Sequence, residues 1–416
     1  MRRASSITMN QLSQNRHWQP EATSVSDRLW DVVIIGAGPA GATAACHLAA
    51  RHHRILLLDR KKFPREKVCG DGLLTDALRC LDAIGVGENV RQTGHPIATC
   101  TLSSPSRKEV EIPGEYLTIK RSLLDMIVAQ KAVESGTRFA AGEVNRMAVE
   151  PDGRVSFSIT GSHQPFRARI GILATGADIR LLRQMNWPAR KRPSAVALRC
   201  YVRSTYALDR LVVAYDRSTV PGYAWIFPLS NHDYNIGCGI RLRDDQKTRI
   251  DLKKTFNNFV DAFPLAREVI RHSDQRTDLQ AAALRCDFEG AYPFVDGPIV
   301  ALGETIGTTL PFIGEGIGKA MESGQMAAGA ISAALNSNDL GKLVQYNQYI
   351  ESELKPRYHG YRMAEKWLTN PWINDFILER FSKSRYASET LAGVIAETND
   401  PRDIFSLKGI IKTLWK

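Results

Sequence analysis

Paired cysteines are missing from this chain of 416 residues. Its seven cysteines are an odd number, and no two of them form a Cys-x-x-Cys pair. This pattern argues against a disulfide framework and against a zinc site. We therefore expect reduced thiols, a cytoplasmic protein and no bound metal.

A long uninterrupted apolar segment is also missing. Residues 1–28 carry charges without an apolar core, which predicts a flexible tail and no signal peptide. Residues 29–50 are nearly long enough to span a bilayer, but three spaced glycines and a proline interrupt them. The net charge of +11 comes from basic residues spread along the chain without a nucleic-acid motif, so we expect no nucleic-acid partner.

The interrupted segment carries a nucleotide-binding pattern. DVVII predicts a buried parallel strand, Gly36-x-Gly38-x-x-Gly41 opens a helix directly after it, and RILLLD predicts a second strand that ends at Asp59. In such a unit the glycines allow a tight turn, a close approach to pyrophosphate and close helix packing, and the acid binds ribose hydroxyls. The pattern therefore predicts dinucleotide binding. Because it occurs once, we expect no second dinucleotide domain.

Three further segments indicate that the dinucleotide is FAD. RKKFPREKVCGDGLL follows Asp59, RARIGILATGAD lies in mid-chain, and IVALGE leads to PFIGEGIGKAMESG near the C-terminus. They resemble the cofactor-contacting segments of glutathione-reductase-like flavoproteins. The last one predicts a helix whose N-terminus, with its partial positive charge, suits a reduced flavin.

An aromatic motif stands apart from these segments. Tyr223, Trp225 and Phe227 alternate and therefore share one face of a predicted strand, and Gly237 and Gly239 lie on the next strand. One interpretation is an ordinary core-facing stripe. The other is a wall beside a flat ligand, with the two glycines leaving room for a substrate chain or the cofactor.

Taken together, KVCGDGL, Tyr-x-Trp-x-Phe-Pro-x8-Gly-x-Gly and GEGIGKAMESG resemble the geranylgeranyl reductase family of FAD-dependent oxidoreductases. The resemblance covers roughly residues 29–340. Members resemble group A flavin monooxygenases in fold and hydrogenate isolated double bonds of polyprenyl lipids. The resemblance favours the wall interpretation of the aromatic motif.

The resemblance also implies the site. Catalytic roles are expected for Cys69, Tyr223 and Trp225, with Cys69, Tyr223 or a water as the proton donor. The implied FAD-binding residues are Gly36, Gly38, Pro39, Ala40, Gly41, Asp59, Arg60, Cys69, Gly70, Arg121, Val144, Thr175, Gly176, Glu304, Pro311, Gly314, Gly316 and Ile317. Two readings stay open: Arg121 as a surface charge of its helix, and Cys69 as a small packing residue. Glu304 departs from the usual Asp, and Asp71 replaces a frequent glycine.

The predicted fold class is α/β. A Rossmann-like FAD-binding domain with a parallel sheet is expected over residues 29–180 and 291–340, with part of 95–165 open to assignment to the second domain. An antiparallel substrate-binding sheet is expected over 181–290 and a helical region over 341–416.

The predicted function is reduction of C=C bonds in a polyprenyl or similar long apolar substrate. NADPH, ferredoxin or another donor is expected to dock transiently. The alternatives are an FAD-dependent monooxygenase or halogenase, and a flavoprotein with a non-redox, cyclase-like or carrier role. Ile404, Leu407, Ile411 and Leu414 predict an amphipathic helix for peripheral membrane contact or for packing on the domain.

Overall fold

The computed structural model describes residues 18–24, 29–162, 165–242, 250–311 and 313–406, together with Lys408, Gly409 and Lys412. The strands are β1 (Leu29–Ile35), β2 (Ile55–Asp59), β3 (Gly72–Leu73), β4 (His95–Ser103), β5 (Glu109–Thr118), β6 (Arg138–Ala141), β7 (Val144–Val149), β8 (Val155–Ile159), β9 (Phe166–Leu173), β10 (Ala195–Ser204), β11 (Leu211–Ala214), β12 (Gly222–Pro228), β13 (Asp233–Arg241), β14 (Ser273–Arg276), β15 (Gln280–Leu284), β16 (Val295–Asp296) and β17 (Ile299–Ala301). The α-helices are α1 (Pro39–Ala49), α2 (Thr75–Ala83), α3 (Gly87–Thr93), α4 (Arg121–Glu134), α5 (Arg180–Gln184), α6 (Leu252–Ala262), α7 (Pro264–Arg271), α8 (Ile317–Ser337), α9 (Val344–Tyr349), α10 (Lys355–Leu368), α11 (Pro371–Lys383), α12 (Arg385–Ile395) and α13 (Arg402–Phe405).

The first sheet has the order β16-β17-β9-β1-β2-β6, with β7 and β8 attached through β9. The pairs β1–β2, β1–β9, β2–β6 and β9–β17 are parallel. All five residues of β2 are buried, and the apolar run of its first four, Ile55–Leu58, is what is expected of a strand covered on both faces. Helices α1 and α8 pack against each other beside this sheet. The predicted α/β class with a Rossmann-like sheet is confirmed.

The second sheet has the order β14-β10-β13-β12-β11-β4-β5-β3, and β15 pairs with β10. Strands β3, β4 and β5 belong to this second sheet, although along the chain they lie between β2 and β6 of the first sheet. Alternate residues of β12 and β13 face opposite ways: Ala224, Ile226 and Ile236 pack on Phe256 and Phe259 of α6. The other face carries the aromatic motif.

The expectation of a flexible tail over residues 1–28 is wrong for residues 18–24. The ring of Trp18 lies against those of Phe63 and Phe139, with centroids 6.0 and 5.1 Å apart. Gln19 is buried, and its side-chain amide bonds the backbone of Phe63. Trp18 and Ala22 pack on the main core. The charges of this segment did not indicate these two apolar contacts.

The C-terminal region is helical, as predicted, from α9 to α13. Ile404 and Phe405 are buried in the main core, which fits packing on the domain. Leu407, Ile411 and Leu414 of the predicted amphipathic helix lie outside the described residues. Within the part of the chain that the structure describes, no helix is both long and apolar enough to cross a bilayer.

Candidate active site

The glycine turn after β1 has the geometry of a phosphate-binding turn. Gly36 has a φ of +105°, and a Cβ there would lie 2.2 Å from the carbonyl oxygen of Ala174. A Cβ on Gly41 would lie 1.9 Å from the carbonyl oxygen of Gly36, so this glycine lets α1 pack on the turn. A Cβ on Gly38 would instead meet only Arg65 Nη2, at 3.7 Å. Gly38 thus borders open space at the N-terminus of α1, where backbone N–H groups favour an anion.

Asp59 sits at the end of β2 and belongs to a chain of charges. One carboxylate oxygen, Oδ2, accepts hydrogen bonds from the Ala37 N–H at 3.1 Å and from Arg65 Nε at 3.2 Å. Arg65 Nη1 reaches Asp125 Oδ2 at 2.9 Å, and Arg121 Nε reaches Asp125 Oδ1 at 2.7 Å.

Asp125 and Arg121 are both buried, so the reading of Arg121 as a surface helix charge is wrong. Arg65 and Asp125 were not among the predicted site residues. The i, i+4 spacing of Arg121 and Asp125 was the one sequence signal for them.

Glu304 follows β17 and lines the cavity. Its Oε2 is 3.6 Å from Lys67 Nζ, and its Oε1 accepts a weak hydrogen bond from the Arg285 N–H at 3.4 Å. A Cβ on Gly176 would lie 3.2 Å from Glu304 Oε2, so β9 and the loop after β17 come together here. Arg60 pairs with Asp178 at the cavity rim, 3.3 Å apart.

The second glycine turn leads into α8. Gly314 has a φ of +65°, and Gly316, the residue before α8, would place a Cβ 2.7 Å from Thr309 Oγ1. Glu315 Oε1 accepts a hydrogen bond from the Gly318 N–H at 2.6 Å and so caps the helix. Its other oxygen accepts no hydrogen bond from the described residues. Burial, reinforced by the nearby Asp76 carboxyl, raises the pKa of Glu315 well above its usual value.

The aromatic residues of β12 face the cavity, but the glycines beside them do a different job from the one expected. Trp225 is paired with Gly237 across the two strands, and a Cβ on Gly237 would lie 2.3 Å from the indole ring. The missing side chain of Gly237 therefore makes room for Trp225, not for a passing ligand. At Gly239 the nearest ring atom is 3.8 Å away, and this residue does line the cavity.

A buried hydrogen-bond network joins this wall to the Cys69 loop. The Trp225 indole N–H donates to Asn235 Oδ1 at 2.9 Å. The Asn235 amide donates to the Cys69 carbonyl at 2.7 Å and to Asp71 Oδ2 at 2.8 Å, and the Tyr201 hydroxyl donates to the same oxygen at 2.7 Å. Burial raises the pKa of Asp71 to about 6, although these hydrogen bonds oppose the shift.

Two predicted proton donors differ in what their protons do. The Tyr223 hydroxyl donates to the Ile313 carbonyl at 2.9 Å, so its proton is engaged with the turn before α8. Cys69 is partly buried, and burial raises the pKa of its thiol, while the positive charge of Arg121 partly opposes the shift. The thiol is therefore protonated at neutral pH, with a guanidinium nearby that would stabilise the thiolate left after proton transfer.

One cavity of about 800 Å³ connects these elements. Its volume is within the range of roughly 300–1,000 Å³ common for ligand pockets. Every predicted site residue lines it except Gly41, which packs behind the turn. The open space at Gly38 and the two helix N-termini, together with Asp59 and Glu304, suit a group with a pyrophosphate and polyols. The residues present thus fit FAD. Among the described residues no cluster could hold a metal ion.

The cavity also extends beyond the nucleotide-binding elements. Its other end is lined by apolar and aromatic side chains from the second sheet and the C-terminal helices: Leu102, Tyr116, Leu211, Val213, Tyr215, Leu368, Leu391, Val394, Ile395 and Phe405. Sequence reasoning assigned none of the C-terminal residues to the site. Their helical pattern is that of ordinary core residues, so no signal in the sequence marked them.

Comparisons with known proteins agree with this geometry. Residues 30–181 match the FAD binding domain family. The chain is 30% identical to menaquinone reductase of Mycobacterium tuberculosis over 75% of this chain and 78% of that protein. It is 26% identical to digeranylgeranylglycerophospholipid reductase 1 of Methanopyrus kandleri over 82% of this chain and 90% of that protein.

Two solved structures share the fold. A geranylgeranyl bacteriochlorophyll reductase-like protein from Thermoplasma acidophilum has a TM-score of 0.77 at 18% identity and covers 92% of this chain and 99% of its own. A flavin-dependent brominase has a TM-score of 0.76 at 18% identity, with 93% and 98% covered. At these identities the likeness concerns the fold alone.

The fold, the cavity and the family match define an FAD-dependent oxidoreductase. Within that class, the chain belongs to the geranylgeranyl reductase family.

Proposed function

We propose that the protein reduces C=C double bonds in a polyprenyl or similar long apolar substrate. The observation that carries the proposal is the continuity of one cavity from the glycine turns, past Tyr223 and Trp225, to a lining of apolar residues from three strands and three C-terminal helices. Such a lining can bury an alkyl chain at about 25 cal/mol per Å² but offers few partners to a polar substrate. The relatives named as reductases of menaquinone and of a geranylgeranyl lipid support this substrate class.

FAD would be held by the two glycine turns, Asp59 and Glu304, and in its reduced form it supplies a hydride. We assign the proton to the Cys69 thiol, because that thiol lines the cavity and keeps its proton at neutral pH. The Cys69 thiol would give its proton to one alkene carbon while the other took the hydride that reduced FAD would supply, so two C–H bonds would replace one π bond. The Cys69 thiolate, close to Arg121, then regains a proton from water.

The wall residues would position the substrate. Trp225 is fixed by Asn235 on one side and by the space over Gly237 on the other, so its ring presents a rigid apolar face. Tyr223 ties the same strand to the turn before α8 and has a structural hydrogen bond in place of a proton-transfer role.

The electron donor would dock transiently, and NADPH, ferredoxin or another donor would take the place that dithionite has in the assay below. Since the seven cysteines are free thiols, we also propose a reducing, cytoplasmic location.

An anaerobic single-turnover assay tests the proposal. The flavin is reduced with dithionite, and geranylgeranyl lipids or a polyprenyl quinone are added. We expect flavin re-oxidation together with a mass gain of two hydrogens per double bond. A flavin that stays reduced with every polyprenyl substrate, yet oxygenates or halogenates another compound in air, would establish the monooxygenase or halogenase alternative. A flavin that no reductant bleaches would establish the non-redox alternative.

A further inference from the structure

The beginning of helix α11 carries an exposed apolar surface. Trp372 is 78% exposed, Ile373 41% and Phe376 46%. Large apolar residues that are this exposed are few among the described residues, and these three fall within five consecutive positions. The opposite side of α11 is buried, and its buried residues are Asn374, Ile377, Leu378 and Phe381. The helix is therefore packed on the protein core through one side, while the three apolar side chains project from the other.

Basic side chains frame this surface, which we call the α11 patch (Trp372, Ile373 and Phe376). The Arg217 guanidinium lies 6.0 Å from the centroid of Trp372, and that of Arg380 lies 5.3 Å from the centroid of Phe376. The two acidic residues of the helix have hydrogen-bond or ion-pair partners outside the patch, although Asp375 also interacts with Arg217 and Glu379 with Arg380. Asp375 accepts hydrogen bonds from Ser104 Oγ and the Ser106 N–H at 2.6 and 2.7 Å, and Glu379 pairs with Lys383 at 2.7 Å. The patch therefore combines rings with positive charge.

The α11 patch is also next to the apolar end of the cavity. Leu368 and Thr369 line the cavity, and Trp372 follows three residues later. Asn370 joins the two features, because its side chain caps α11 by accepting from the backbone N–H groups of Trp372 and Ile373 at 3.0 and 3.3 Å. Strand β5, which contributes Tyr116 to the cavity, packs against both α11 and α12.

We propose that the α11 patch docks the protein on the surface of an anionic lipid bilayer. Aromatic rings with arginines beside them suit the interface between headgroups and acyl chains, and the net charge of +11 favours an anionic surface. Three side chains at a convex helix end are too few for a stable protein interface, which buries roughly 1,200–2,000 Å². The role of the docking, which rests on the proposed function, is to bring the apolar end of the cavity to a lipid substrate.

Vesicle flotation of the full-length holoprotein tests the inference. The vesicles are phosphatidylcholine with 30 mol % phosphatidylglycerol, or phosphatidylcholine alone, chosen as probe compositions on the order of those that give a strong surface potential. We expect the wild type to float with the anionic vesicles, and the double variant Trp372→Ser/Phe376→Ser to lose at least about tenfold in bound fraction. Tyr292→Ser is the matched control, because Tyr292 is 57% exposed but lies outside the patch, and it should float like the wild type.

The charge requirement has its own variant. Arg217→Glu/Arg380→Glu should bind anionic vesicles more weakly, and raised salt should weaken the wild type in the same way. The flavin absorbance and the Tm of each variant show whether it is folded. A wild type that fails to float, or a double aromatic variant that floats as well as the wild type, would overturn the inference. If the double aromatic variant floats as well as the wild type, another segment, such as residues 407–416, carries the binding.

Activity separates this inference from the proposed function. With a detergent-dispersed polyprenyl substrate, the double aromatic variant should reduce double bonds at the wild-type rate. If flotation behaves as expected but no polyprenyl substrate is reduced, the docking surface stands and the proposed function fails. If reduction occurs but flotation does not, the reverse holds.

Discussion

At the nucleotide-binding end of the cavity the backbone shapes the site, whereas at the apolar end side chains shape it. Gly36 and Gly41 let main-chain segments pass so closely that a Cβ would overlap a carbonyl oxygen. At the other end Trp225 fills the space over Gly237, and residues from distant helices complete the lining. A backbone-shaped site admits one kind of ligand group, while a side-chain-shaped lining can change with sequence. Substitutions in the apolar lining can therefore change the shape of that end without altering the glycine turns.

The largest expected effect separates two glycines of one motif. Gly38→Val should leave the fold intact but abolish FAD binding, because Gly38 has an ordinary extended φ and borders the open space. Gly41→Val should prevent folding, because its Cβ would overlap the Gly36 carbonyl. Circular dichroism and flavin absorbance of both proteins check this. A yellow Gly38→Val protein would show that the pyrophosphate lies elsewhere.

Cys69 lines the cavity in a loop that Asn235 ties to the aromatic wall. Cys69→Ala should lower kcat by about 10²–10⁴, the usual contribution of a general acid, with FAD affinity and KM unchanged. Cys69→Ser should recover part of the rate. Since the thiol must be protonated and burial raises its pKa, the rate of the wild type should hold through neutral pH and decline only above the ordinary pKa of a thiol. An unchanged kcat in the alanine variant would leave Cys69 a packing residue.

Asp71 connects the Cys69 loop to the aromatic wall, and its pKa makes a stability prediction. Because the folded-state pKa of about 6 exceeds the ordinary value of 3.8, the neutral carboxyl is favoured in the fold. Stability from this group is complete below about pH 4 and is lost as the pH rises through 6, by about 3 kcal/mol in all. The Tm of the wild type should therefore fall relative to Asp71→Asn over that interval. Asparagine tolerates the φ of +65° at this position. If the Tm values of the two proteins changed with pH in the same way, Asp71 would not have a raised pKa in the folded protein.

Glu304 tests the nucleotide-binding end again, with a smaller effect. If it holds the ribityl chain, Glu304→Ala should weaken FAD binding by about 1–3 kcal/mol, the range for a hydrogen bond to a charged group. Glu304→Asp should have a milder effect, since the carboxylate is kept. Titration of the apoproteins with FAD measures both. Equal affinities for wild type and alanine variant would remove Glu304 from the site.

The smallest expected effect lies at the apolar end. Gly237→Ala places a Cβ 2.3 Å from the Trp225 ring and 2.5 Å from the Leu198 carbonyl oxygen, so it should displace the ring and shift the neighbouring strand β10. A change of about one methylene in an apolar pocket corresponds to a loss of roughly tenfold in kcat/KM. FAD binding should be unaffected, and Gly239→Ala, where the nearest ring atom is 3.8 Å away, is the matched control. Loss of FAD from Gly237→Ala would mean that Trp225 serves the cofactor as well as the substrate.

Much of this protein could be predicted from its sequence because the relevant physics is local. The glycine turn, its flanking strands and Asp59 lie within 30 residues, and their roles follow from backbone geometry and hydrogen bonding at each position. The alternation of Tyr223, Trp225 and Phe227 likewise fixes their shared face, because successive side chains on a strand point to opposite sides. These signals were enough for the fold class, and the residues they predict for the cofactor, apart from Gly41, line the cavity.

Contacts between distant segments decided the rest. The space over Gly237 is filled by a ring from the neighbouring strand, Arg65 lies 60 residues from the Asp125 it pairs with, and residues 18–24 are held by Phe63 and Phe139. Helices α10, α12 and α13 contribute residues to the cavity, and α11 and α12 pack on β5. Neither composition nor periodicity encodes which buried surfaces meet, since an apolar residue has the same pattern whether it faces a core or a cavity. The tertiary structure therefore supplied the apolar end of the cavity and the charged network of Asp59, Arg65, Asp125 and Arg121.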